Sequence, residues 1–424
     1  MFTHRFCLMR ATCCGLALFT TQAVQAHAQL PSDSLTVDEA ISQALTQSPR
    51  VIASRLAVDA RRERPTIVSA LPDPVLSLGL MNRPFDLDAD QAMTMNQVQL
   101  AQRLPWAGKR SSAYEREDRL TAAAELDAAE VAVAVVERVR TLYHRIAYID
   151  RAITVMEETR RLLADLQRTA LAQYEVGNGA QQDVLRAQVA QARMDADIRA
   201  MRQQRNASAA RFNALLGRSP EAPVGWLELP DPVAELPELA ELMAAAEVRP
   251  ALRAAAARVE AAAAHRELTE RAHLPDVNVT VGYSQRPEFP DLFSVMVGMP
   301  LPLRRGSNQQ PQVRESRASE AAAEAVHLEL FNETYAALAE RRADAARASE
   351  VSELLRTDVL PQAEAAVQSG LSSYRVGSLD FMAVLESRML VNQYEIERLR
   401  LAAEYQSAVA AIDALIGVIP GGTQ

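Results

Sequence analysis

Tyr174-Glu175-Val176-Gly177, followed by Val184-Leu185, returns later in the chain as Tyr374-Arg375-Val376-Gly377, followed by Val384-Leu385. The same offset carries FNALLGRSP, Phe212 to Pro220, onto IDALIGVIP, Ile412 to Pro420. Upstream, Leu71-Pro72-Asp73 matches Leu274-Pro275-Asp276 and Gly79 matches Gly282, while Leu104-Pro105 matches Leu301-Pro302 at a slightly different spacing. Landmarks repeated in unchanged order mark an internal duplication. The chain divides into a leader (1–28), a first repeat (29–220), a proline-rich linker (221–236), a second repeat (237–420) and a short tail (421–424).

Each copy follows one plan. An Ala-rich helical stretch, about residues 36–70 or 238–272, runs into Leu-Pro-Asp, where proline stops the helix and starts extended chain. A strand pair follows. Val277, Val279, Val281 and Tyr283 alternate with Asn278, Thr280, Gly282 and Ser284, and Phe293, Val295, Val297, Met299 and Leu301 form the returning strand. This is the period-two pattern of strands wet on one face. The first copy repeats it with Leu76, Leu78 and Leu80, then Val98 and Leu100. A long helix comes next, about 108–175 or 310–375, in which Ala at many positions implies close, extended packing and no thick core. Pro361 falls inside the second long helix and should bend it or loosen a turn. Glycine turns then reverse the chain into return helices of roughly 37 residues that end at Gly217 and Gly417. The opening and return helices together match the long one in length, so each copy is a long helix flanked by two short ones stacked end to end.

Composition narrows the function. With 424 residues, 49% hydrophobic residues and a net charge of -9, the chain is too apolar for disorder and too acidic to bind nucleic acid. Cys7, Cys13 and Cys14 all fall in the leader, whose basic start, apolar stretch and Ala26-His27-Ala28 site read as a secretory signal peptide. No Ser-His-Asp, Cys-His or glycine-rich phosphate pattern stands out, so no enzyme and no cofactor are expected. Strands of about 9–11 residues suit an outer membrane. Four strands per chain fall short of the about 8 that the smallest such barrels need, so closure requires oligomers. Phe85, Tyr283, Phe289 and Phe293 at the loop end and Trp106 at the other are candidate interfacial girdles. The alternatives are a periplasmic adaptor or a coiled-coil structural protein of an export complex. The adaptor would carry one hairpin between compact β domains, and the stalk would lack alternating strands.

The segments LTVDEAISQALTQSP (Leu35–Pro49), QRLPWAGKR (Gln102–Arg110), YEVGNGAQQDVLRAQ (Tyr174–Gln188) and YRVGSLDFMAVLESR (Tyr374–Arg388) carry a resemblance to a known family. In their order and duplication they resemble the TolC-like outer-membrane factors of tripartite efflux and type I secretion. The resemblance covers nearly all of the mature chain. It implies a mainly α fold with a small β part: a homotrimer sharing a 12-stranded outer-membrane β-barrel, continued by a helical barrel through the periplasm. It also implies passive conduction from periplasm to exterior, with outer-membrane lipid, a periplasmic adaptor and an inner-membrane pump of the RND type as partners.

The same resemblance directs attention to the glycine turns as a periplasmic tip. Asp183 and Glu386 match positions where acids ring the closed aperture, while Ala383 stands where the best-known member has another acid and Asp380 is a substitute. Three-fold carboxylates at a constriction would favour cations. Asp183 reads equally well as a helix-start residue favourable to the dipole. Tyr174, Gly177, Tyr374 and Gly377 suit turn geometry and adaptor docking. QRLPWAGKR and LPQAEAAVQSGLSSYRVG are similar to the heavy-metal efflux branch, so metal ions or small toxic compounds are the expected cargo. Met81, Met93 and Met95 with Asp86, Asp88 and Asp90 near one outer loop mix soft and hard ligands, and no metal site is assigned to them. His144, His265, His273 and His327 lack i,i+4 partners and read as ordinary helix-surface residues.

Overall fold

The computed structural model describes residues 35–82, 94–233, 235–286, 289–301, 303 and 305–419. The leader, the tail, Phe85, Met93, Asp86, Asp88 and Asp90 lie outside the described residues.

The first copy opens with three helices, where the sequence pattern predicts one: α1 (Val37–Gln47), α2 (Pro49–Arg62) and α3 (Arg64–Ser69). The breaks are proline effects. Pro49 and Pro65 take first-turn positions of the helices that they start, where a missing N–H costs nothing. Thr36 caps α1 in a capping box with Glu39, its N–H donating to Glu39 Oε2 at 2.9 Å and its Oγ1 accepting from Glu39 N at 3.3 Å. Strands β1 (Val75–Met81) and β2 (Met95–Leu104) follow, then α4 (Lys109–Glu175), 67 residues without interruption. At about 1.5 Å per residue α4 spans roughly 100 Å. The return helix α5 is Gln181–Leu215.

The second copy has α6 (Leu239–Ala246) and α7 (Pro250–Arg271), again split at a proline, then β3 (Val277–Gln285) and β4 (Leu292–Gly298). Strand β4 stops short of the predicted Leu301 because Pro300 has no N–H to donate. The second long helix is α8 (Gln310–Leu354), a π-helical turn Leu355–Val359, and α9 (Leu360–Arg375). Pro361 cannot bond the carbonyl four residues back and its ring crowds it, and the wider turn lies over that carbonyl. The loosening expected at Pro361 is therefore local, and the helix continues beyond it into α9. Helix α10 (Phe381–Leu415) returns.

Short helices stack as their lengths require. A Cβ on Gly217, past the end of α5, would meet the Gln47 carbonyl oxygen at the α1–α2 junction at 2.7 Å, and one on Gly417, past α10, would meet Pro250 at the start of α7 at 2.8 Å. Helix α4 packs against α5, α7 and α10, and α8 against α7 and α10, so the helices form a wall of parallel columns. The apolar core of that wall is split into separate clusters along its length. Ala and Val fill much of it, as close column packing demands.

The described strands form one antiparallel sheet in the order β1-β2-β3-β4. Its two faces differ sharply. Leu78 lies opposite Val98, Val98 opposite Tyr283 and Tyr283 opposite Phe293, while Leu76, Leu100, Val281 and Val295 line up likewise. On the other face Ser77, Gln99, Gly282 and Ser294 align. The apolar face is open, with Leu78 75% and Phe293 71% exposed; the edge strands β1 and β4 are exposed on both faces, and the contrast between faces lies in the central strands. Gly282 and Ser284 on the polar face are buried. No helix among the described residues is long and apolar enough to cross a membrane.

Candidate functional site

The two glycine turns lie at one end of the helical wall. In each, helix termination follows the same hydrogen-bond rule. Asn178 N donates to Gln173 O at 2.8 Å and Gly177 N to Tyr174 O at 3.0 Å; Ser378 N donates to Ser373 O and Gly377 N to Tyr374 O, both at 3.0 Å. This six-to-one plus five-to-two pattern needs a left-handed residue, and Gly177 (φ 78°) and Gly377 (φ 74°) supply it. Beyond its chain neighbours, neither glycine has an atom of the described residues within 4 Å of a Cβ placed on it, so the backbone angle is what constrains the choice.

The side chains around the turns are not equivalent. Tyr374 is buried, edge-on to Phe381 at 5.6 Å, within a cluster containing Leu163 and Leu166 of α4, Val184 of α5 and Val384 of α10. Its hydroxyl has no hydrogen-bond partner among the described residues. Burial pushes its pKa up, and the charges of Asp183 and Asp380 push the same way. Tyr174, its counterpart, is 45% exposed. Asp380 caps α10, accepting from Met382 N at 3.2 Å, whereas the equivalent cap of α5 is Ala180, with no side-chain acceptor. Asp183 sits half-buried in the first turn of α5, where its charge complements the helix dipole. Glu386 lies on the exposed side of α10. Thus the fold gathers Asp183 and Asp380 around one buried tyrosine, while Glu386 faces outward from α10. Val176 and Val376 project from the turns, 69% and 79% exposed.

Sequence reading missed Glu395 on α10, whose carboxyl is pushed up by burial and by the nearby Glu364 and Glu158, against the pull of Arg388 and Arg398. Its signal is tertiary, since the acids around it come from α4 and α9. His144 corrects the surface-histidine expectation. It is 5% exposed, edge-on to Tyr143 at 5.2 Å, and burial, helped by Arg140, lowers its pKa to about 4. His265 and His327 are half-buried and His273 is exposed. A groove of about 950 Å³ between α4, α8 and α10 holds Arg341, Asp344, Arg347, Arg400 and Glu404. These five charges are taken up in ion pairs, Arg347 with Glu404 at 3.2 Å, Arg341 with Asp344 at 3.3 Å, and Arg400 with Glu404.

At the opposite end, where helices meet strands, the two copies lock together. The Asp276 carboxylate accepts from Arg103 Nη2 at 2.6 Å, Lys109 Nζ at 2.8 Å and Trp106 N at 3.1 Å. Lys109 also donates to the Leu274 carbonyl at 2.6 Å. Burial pushes Asp276 up, but the Lys109, Arg103 and Trp106 hydrogen bonds prevail and hold it at about 2. The QRLPWAGKR segment of one copy therefore grips the Leu-Pro-Asp corner of the other. Gly108, at φ 88°, lets Arg271 pass beside α4 and donate to Ser112 Oγ at 2.8 Å. The girdle candidates Trp106, Tyr283, Phe289 and Phe293 are all exposed.

The model of a family described as outer membrane efflux protein matches the chain twice, over residues 40–218 and 242–418. No curated protein matches by sequence. Among solved structures, the chain is similar to the outer-membrane channel OprN, with 19% identity, 91% of this chain and 92% of that chain covered, and a TM-score of 0.79. It is similar to the outer membrane protein VceC of Vibrio cholerae, with 16% identity, coverage of 90% and 96%, and a TM-score of 0.76. The open state of the MtrE outer membrane channel of Neisseria gonorrhoeae gives 15% identity, coverage of 90% and 89%, and a TM-score of 0.75. At these identities the likeness speaks for the fold.

Proposed function

The chain belongs to the outer membrane efflux protein family, and on that premise we propose that three copies form the outer-membrane conduit of a tripartite efflux system. The conduit is passive; a periplasmic adaptor joins it to an inner-membrane pump of the RND type, which supplies the energy. The observation that carries this reading is the sheet, whose apolar face is open while its edge strands β1 and β4 have no second strand partner among the described residues. A face of that kind is stable against lipid, and twelve strands from three chains would close the edges. An adaptor or a free coiled-coil stalk would leave the same face in water.

At the tip, Asp183, Asp380 and Glu386 repeated in three copies would make an acidic constriction favouring cationic cargo, metal ions or cationic toxic compounds. Asp380 is partly committed to its helix cap, so Asp183 and Glu386 carry the larger share. Tyr174, Gly177, Tyr374 and Gly377 shape the turns on which the adaptor docks, and the exposed Val176 and Val376 supply apolar contact. The test is conductance in planar bilayers. Asp183→Asn with Glu386→Gln should raise conductance and lower cation preference, whereas unchanged selectivity would remove both residues from the gate.

A further inference from the structure

We infer that neighbouring copies join through β4 and β1 in one register, with Val297 of one copy opposite Leu78 of the next, Val295 opposite Leu80, and Met296 opposite Gly79. This rests on the oligomeric-channel reading and specifies its seam.

The duplication supplies the ruler. One correspondence places Leu71-Pro72-Asp73 on Leu274-Pro275-Asp276 and so β1 on β3; the other places Leu104-Pro105 on Leu301-Pro302 and so β2 on β4. The two can be checked inside the chain. Applied to Ser77 opposite Gln99 in the first hairpin, they give Thr280 opposite Met296 in the second, which is the pairing found. The correspondences therefore hold at the level of individual ladder partners.

Among the described strands, the β2–β3 seam is where the first copy pairs with the second. Its equivalent, one step around the duplication, is β4 against β1, and inside one chain those strands occupy opposite edges of the sheet. Both are exposed along their whole length. Carrying Leu100 opposite Val281 across gives Val297 opposite Leu78, and Gln99 opposite Gly282 gives Met296 opposite Gly79.

The faces provide an independent check. In this register Leu78 and Leu80 meet Val297 and Val295, continuing the apolar face, and Ser77 meets Gly298 on the polar one. A one-residue slip would set Leu78 against Met296 or Gly298 and reverse the faces. Slips of two residues, with Leu78 against Val295 or Met299, keep the faces. Only the duplication separates them from the inferred register.

Cysteine pairs make the test, because the natural cysteines all lie within the first fourteen positions. Three double variants would be oxidised in membranes: Leu78→Cys with Val297→Cys, with Val295→Cys, and with Met299→Cys. Leu100→Cys with Val281→Cys serves as the within-chain control. A two-residue slip moves partners about 6.6 Å along the strand, outside the roughly 4.4–6.8 Å Cα separation that a disulfide tolerates once the strand spacing is added. The Leu78–Val297 pair should give linked dimers and trimers in about tenfold excess over the other two. A dominant link in either shifted pair, or none in all three where light scattering still gives a three-chain mass, would overturn the register and leave the channel reading standing. A single-chain mass with the control link formed would overturn both.

Discussion

The two copies share a backbone plan but differ in how firmly their corners are held. In the second copy Asp276 is buried under Arg103, Lys109 and the Trp106 N–H, and Tyr374 is packed on Phe381 beside a capped helix. In the first, Asp73 is exposed, Tyr174 is nearly half exposed and Ala180 offers no cap. Turn glycines and helix ends recur in both, so the duplication preserved what backbone geometry requires. Side-chain anchoring was free to diverge. The consequence is a wall with one anchored hairpin and one loosely held hairpin, and the anchored one carries the buried tyrosine.

Substitutions at matched positions should break this asymmetry. A large difference is expected at the Leu-Pro-Asp corners. Asp276→Asn leaves the Lys109 charge partly buried without its carboxylate and should cost about 3 kcal/mol in denaturant unfolding, while Asp73→Asn should fall within about 0.5 kcal/mol of the parent. Acid titration sharpens the point. Asp276 is depressed from its ordinary 3.8 to about 2, so its contribution is present above pH 3.8 and is lost as pH falls toward 2. His144, lowered from 6.5 to about 4, contributes stability above 6.5 that is lost as pH falls toward 4. Asp276→Asn should flatten the first of these declines and leave the second in place.

At the tip, Tyr374→Ala should cost about 3 kcal/mol and Tyr174→Ala about 0.5. Tyr374→Phe removes a hydroxyl without a partner and should be neutral or slightly stabilising. Gly177→Val with Gly377→Val forces a β-branched residue into left-handed backbone, at about 1–2 kcal/mol each. Trimers should persist while adaptor cross-linking is lost; normal pump assembly would refute the docking assignment. At the caps the matched changes run in opposite directions: Asp380→Ala should lose about 1 kcal/mol, and Ala180→Asp should gain a similar amount.

What the sequence made legible follows from local rules. Proline, glycine and strand alternation located the strand pairs, the long helices and the turns, because each acts through its own backbone. Pro49, Pro65 and Pro250 were visible as residues, but whether a helix restarts at once or a strand follows depends on packing. The opening stretches therefore proved to be three helices and two. His144 shares its spacing with surface histidines, and only the packing of Tyr143 and neighbouring chain over it makes it buried. The contrast between Tyr174 and Tyr374 is likewise absent from their near-identical motifs. It arises from the neighbours that each turn meets, as does the cluster of acids around Glu395.

The central claim, that the open apolar face of the sheet meets lipid and that its free edges meet other copies, is tested most directly by mass. Protein extracted from purified outer membranes and measured by detergent-corrected light scattering should weigh three chains. A single-chain mass recovered from the soluble periplasmic fraction would contradict the account, since the strands would then never have entered a membrane.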